Sequence, residues 1–154
     1  MTTGDNAKKA LADALNAVLA DSFALYFKTK NFHWHVSGPH FRDYHLLFDA
    51  QAAQILLTTD AIAERVRKNG QRTLTSIGDI SKRQNIADND AKKVSAADML
   101  SELRDDNLKL VEALRSAKEL AGEAGDNATD GMIDDWTDQA EERAWFLFEM
   151  AQKD

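Results

Sequence analysis

The sequence predicts an all-α fold, a bundle of four helices with one long crossover between the second and third. Three observations predict it. Of 154 residues only one is proline and seven are glycine, and abundant Ala, Leu, Glu, Lys and Gln bias the rest toward helix. No segment alternates Val, Ile or Thr with polar residues as a half-buried strand would. Four stretches instead repeat apolar residues at intervals of three and four.

The first stretch, about 6–34, opens at Asn6 as its N-cap and sets Leu11, Leu15, Val18, Leu19, Ser22 and Tyr26 on one face on the way to His33. Gly38-Pro39 ends it and starts the next, since proline is tolerated in a helix's first turn. That second helix, about 39–68, turns Phe41, Phe48, Ala52, Ile55, Thr59, Ile62 and Val66 inward and stops near Gly70. Periodicity breaks over 70–94, where "IGDISKRQ" can form a short helix inside a long connection. Ser95 with Asp98 caps the third helix, about 95–122, whose stripe is Met99, Leu103, Leu110, Leu114, Ala117 and Ala121, with Gly122 and Gly125 at its end. Thr129 or a neighbour opens the fourth, about 128–152, with Ile133, Trp136, Ala140, Leu147 and Met150 inward. Two helical hairpins joined by one long connection describe the ferritin-like kind of four-helix bundle, here a single domain over 1–154.

Charge and composition limit the function. Asp and Glu number 26 against 19 Lys and Arg, a net charge of −7 that opposes nucleic acid and anionic lipid and favours cationic ligands. The absence of cysteine excludes disulfides and thiolate metal sites, leaving imidazole, carboxylate, carbonyl and water as ligands. No run approaches the ~18 apolar residues of a membrane span, and "MTTGDNAKKALADAL" lacks a signal peptide's apolar core. The expected location is the cytoplasm.

All four histidines lie in "NFHWHVSGPHFRDYHLLFD", residues 31–49. His45 and Asp49 are four apart on the second helix, as are Asp60 and Glu64, so each pair shares a face and can grip one cation. Either pair alone is ordinary on a solvated helix. From Asp49 to Asp60, however, is about three turns and roughly 16 Å, too far for one metal to reach both. The two pairs are symmetric about a point between residues 54 and 55. A two-fold axis there would set His45 and Asp49 opposite Glu64 and Asp60 of an antiparallel copy, building two identical shared sites. Leu46, Ala53, Leu56 and Leu57 give this helix a second apolar face, suited to a second subunit.

His33, near the end of the first helix, can join the same pair across the Gly38-Pro39 turn. Two imidazoles, two aspartates and a glutamate suit a borderline divalent metal such as Fe(II), Zn(II) or Co(II), and iron is the choice with redox chemistry to perform. His35 and His40 are read as ordinary polar neighbours.

"NFHWHVSGPHF", "YHLLFD" and "DAIAERV", together with the helix plan over nearly the whole chain, resemble the Dps family, the DNA-binding proteins from starved cells or mini-ferritins. The resemblance implies a homododecameric shell built from two-fold dimers, which oxidises Fe(II), preferably with hydrogen peroxide, and stores ferric mineral inside. It implies ferroxidase centres with His33, His45 and Asp49 from one subunit and Asp60 and Glu64 from the other; zinc or another divalent metal could occupy them too. It also suggests that Trp34 lies near the iron. Acidic residues at the start of the fourth helix, Asp126, Asp130 and Asp135 with Asp134 as near alternative, would line three-fold pores for Fe(II), although negative charge there also suits the helix dipole. His35 departs from the asparagine that many members carry and is either an extra ligand or a polar neighbour. DNA binding is expected to be weak or absent, because about five residues precede the first helix and an acidic shell offers few phosphate contacts. The rival readings are a DNA-binding, nucleoid-compacting protein with secondary iron chemistry and a structural helical oligomer that traps zinc.

Overall fold

A computed structural model describes residues 3–153 of the chain. Among them are five helices and no strand: α1 (Thr3–His35), α2 (Phe41–Lys68), α3 (Ile77–Arg83), α4 (Ala96–Glu123) and α5 (Asn127–Met150). The long four form a ferritin-like bundle, and α3 lies inside the connection between α2 and α4. Helix α1 begins ahead of Asn6, which sits within its first turns rather than capping it.

The apolar stripes meet in one core that runs the length of the bundle, from Leu11, Leu15 and Leu19 through Phe48, Ile55 and Ile62 to Leu103, Leu114 and Leu147. An 18-residue window of α1 is apolar enough to cross a membrane, but just over half of that window (56%) is buried inside the bundle, as befits a core helix. Phe41, expected inward, is 43% exposed because it stands in the first turn of α2, beyond the packed end of α1.

Buried polar residues of α1 fix the path of the crossover. Asn16 donates to the carbonyl of Arg72 at 3.0 Å, and Thr73 donates back to Asn16. The carboxylate of Asp21 accepts from the backbone N–H groups of Asn85 and Ile86 at 2.6 and 2.9 Å. Lys28 donates to the carbonyl of Ala87, and Asn31 to that of Asn89. The crossover therefore runs alongside α1 in the same direction, and its exposed backbone finds the partners it would otherwise seek in water. Lys28 is buried and pairs with Asp106 of α4 at 2.8 Å and with Glu102 at 3.3 Å. Burial pushes the Asp106 carboxyl pKa up, and the Lys28 ammonium opposes that shift.

Two turns position the residues of interest. Between α1 and α2, Gly38 takes φ 117°, a left-handed conformation that side chains resist, and its carbonyl accepts from Phe41 N–H at 3.1 Å. Between α4 and α5, Asp126 caps α5 by accepting from Thr129 N–H at 3.1 Å.

Candidate metal centre

The α1–α2 turn brings His33 and His45 face to face. Their rings stack at 3.9 Å between centroids and 12° between planes, and His45 is backed by Phe41 at 4.9 Å. Each ring also binds the other residue's backbone. His33 Nδ1 lies 2.6 Å from the carbonyl oxygen of His45, and His45 Nδ1 lies 2.8 Å from that of His33. A carbonyl only accepts, so each Nδ1 carries the proton, and in the neutral ring each Nε2 keeps its lone pair. The bond to His33 also satisfies one of the last carbonyls of α1, which has no partner within the helix. Both imidazoles are thus held in the tautomer that a metal ligand needs.

Asp49 stands one turn beyond His45. Its Oδ1 lies 3.8 Å from His33 Nε2 and accepts a hydrogen bond from Lys30 Nζ at 2.8 Å. The Lys30 hydrogen bond and charge, with help from His33 and His45, hold the Asp49 carboxyl below its usual pKa range. The structure brings His33, His45 and Asp49 together in this way. Asp60 and Glu64 lie farther along α2, both exposed, and among the described residues neither has a hydrogen-bond or ion-pair partner. Among those residues, no three His, Asp or Glu side chains of one chain converge as a ligand set. Around the carboxylates, Leu46, Leu56 and Leu57 are 47%, 41% and 81% exposed.

The remaining histidines are engaged locally. His35 Nδ1 is 2.8 Å from both the carbonyl and the side-chain oxygen of Asn31. His40 occupies the N-cap position of α2 without a capping bond and sets its ring edge-on to Tyr44. Trp34 is 54% exposed and meets Phe27 edge-on at 5.9 Å.

The acidic residues near the start of α5 differ among themselves. Asp126 is half-buried within the chain's own network, accepting from Arg65 at 2.7 Å, from Asn69 at 2.8 Å and from the Thr129 hydroxyl. Burial alone would raise its carboxyl pKa, but the hydrogen bonds from Asn69, Thr129 and Arg65 outweigh it and hold the group well below the usual range. Because the folded-state pKa is depressed, this stabilisation is complete above the ordinary aspartate pKa of about 3.9 and is lost as pH falls through that value toward the folded one. Asp126→Asn should therefore flatten the acid limb of a urea-unfolding series measured between about pH 5 and pH 2. An unchanged slope would remove Asp126 from the account of acid stability. Asp130 and Asp134 both pair with Lys118, whose pKa is raised by those hydrogen bonds. Asp135 is exposed and accepts only from Gln139 at 3.0 Å among the bonds recorded.

A polar cluster that the sequence did not announce lies inside the bundle. The Arg143 guanidinium is 4% exposed and donates to Asn107 and Gln54 at 2.8 Å each, while Gln51 donates to the Arg143 carbonyl. Burial lowers the Arg143 pKa to about 10. The signal was present as polar residues at inward positions of the heptad-like stripes.

The family model for the ferritin-like domain matches residues 12–154. A DNA protection during starvation protein of Brevibacillus brevis is 33% identical, over 89% of this chain and 91% of that protein. The crystal structure of a Dps protein from Bacillus brevis superposes with a TM-score of 0.92 at 31% identity, covering 99% of this chain and 100% of that one. The chain belongs to the Dps family. A Dps protein from Vibrio cholerae, described as a member of a broad superfamily of ferritin-like diiron-carboxylate proteins, has a TM-score of 0.90 at 27% identity over 99% of this chain and 94% of its own. The histidine pair at the α1–α2 turn lies beside Asp49, and Asp60 and Glu64 stand farther along α2.

Proposed function

We propose that this Dps protein is a ferroxidase that oxidises Fe(II), preferably with hydrogen peroxide, at centres shared between two subunits, and stores the ferric product in a hollow dodecameric shell in the cytoplasm. The observation that carries the reading is the reciprocal ring-to-carbonyl pairing of His33 and His45, which leaves both Nε2 lone pairs free, that of His33 lying 3.8 Å from Asp49. Asp60 and Glu64, exposed and unpaired, would complete the centre from the other subunit across a dyad near residues 54 and 55, and the exposed leucines of α2 would seal it.

Iron is substrate and cargo here. The imidazoles hold Fe(II) as neutral donors, and the three carboxylates stabilise the added charge when the ion becomes Fe(III). Each hydrogen peroxide accepts two electrons, one from each of two Fe(II) ions, and leaves as two hydroxides. The negative charge of the chain favours entry of Fe(II). Asp126, Asp130 and Asp135, with Asp134 as near alternative, are the proposed lining of the entry pore, Asp126 serving also as the cap of α5. Removing Fe(II) and peroxide together would protect the cell against oxidative damage.

Fe(II) added to the assembled protein under nitrogen, followed by peroxide, tests this directly. Ferric absorbance should rise faster with peroxide than in air-saturated buffer, and the iron should co-elute with protein on gel filtration. Faster oxidation by dioxygen contradicts the peroxide preference, and protein-free ferric precipitate contradicts storage. The relatives' name favours DNA as a second ligand, but the acidic chain argues for weak binding at most, so no gel retardation is expected at physiological salt.

A further inference from the structure

Lys30 stands one turn before His33 on α1, and its ammonium faces the same oxygen of Asp49 that approaches His33 Nε2. We propose that Lys30 is a resident counter-cation of the metal centre, an ammonium that incoming metal must displace from Asp49 and that thereby weakens the centre's hold on divalent metal. This rests on the reading of Asp49 as a ligand.

Three features favour an exchangeable pair over a structural one. The Asp49 side chain is 52% exposed in the single chain, so no packing within the chain locks the pair closed. The Lys30 stem is mostly covered, at 22% exposure, so the ammonium is kept near the centre even when it lets go. The centre of the Trp34 ring lies 5.9 Å from Nζ, so the ring attracts the ammonium while it bonds Asp49 and keeps it near when that bond opens. Only the bond to Asp49 competes with metal. A retained positive charge beside a divalent ion also repels it. For a centre whose product must move on to a store, such a competitor limits retention.

Zinc(II) does not change oxidation state, so calorimetric titration of the assembled protein reads binding without turnover. Lys30→Met and Lys30→Gln, two uncharged variants, should bind zinc about tenfold more tightly than wild type. Lys30→Arg keeps the charge and grips a carboxylate with a planar fork, so it should bind no more tightly than wild type. His45→Ala identifies the relevant isotherm by abolishing it. Uncharged variants within twofold of wild type, on an isotherm that His45→Ala abolishes, would overturn the role of Lys30 alone. A wild-type isotherm that survives His45→Ala would overturn the ligand assignment and this inference with it.

Discussion

Replacing His45 and Asp60 together with alanine should slow peroxide-driven Fe(II) oxidation by about a hundredfold or more, with the helical circular dichroism signal kept. Loss of one supporting group at a metal site typically costs 10- to 100-fold, roughly, and here a ligand is removed from each proposed half. The fold should survive. Asp60 is exposed and makes no side-chain bond among the described residues, so its removal leaves nothing unsatisfied. His45 gives up its stacking on His33 and Phe41 and its bond to the His33 carbonyl. That bond is worth about 1 kcal/mol, a minor fraction of the stability of a domain this size. Stopped-flow absorbance at matched protein concentration separates the outcomes. A double variant that oxidises Fe(II) at the wild-type rate would refute the ligand assignment.

A second large effect is expected at the apolar face of α2. Leu57 is 81% exposed, two residues from the proposed dyad, with Leu46 and Leu56 beside it on a surface that one chain leaves uncovered. In an isologous dimer, a residue so close to the axis meets the corresponding region of its copy. Leu57→Arg would therefore bring two like charges together in a desolvated interface, where neither finds a partner. Sedimentation velocity should show a shift from the large assembly to monomer, and peroxide-driven oxidation should fall with it. The monomer should keep its helices, because Leu57 takes no part in the core. An intact assembly in Leu57→Arg would move the two-fold contact away from this face.

The bundle was legible in the sequence because its core is written in intervals of three and four, and stripes such as Met99–Ala121 on α4 are buried as that spacing requires. The path of the crossover was not legible. It is held by side chains of Asn16, Asp21, Lys28 and Asn31 that bind loop backbone, and a carbonyl or amide looks the same in every residue. The histidine pair was visible as spacing, but the tautomer lock depends on the geometry of the Gly38-Pro39 turn. Lys30 sits three residues before His33, a spacing that places both on one helical face, but only the fold shows its ammonium reaching Asp49. Asp126 suits both a pore and a cap, since acid serves either. Its partners Arg65 and Asn69 come from the distant end of α2, and only the fold reveals that it serves the cap.

Subunit mixing reads the division of ligands between chains. One variant lacks the histidine half (His33→Ala with His45→Ala), the other lacks the carboxylate half (Asp60→Ala with Glu64→Ala), and each alone should be inactive. Unfolded together in equal amounts and reassembled, half the dimers are mixed, and each mixed dimer carries one complete centre and one doubly defective one, so about a quarter of wild-type activity should return. No recovery, in assemblies shown by mass spectrometry to contain both chains, would mean that the ligands do not come from opposite subunits.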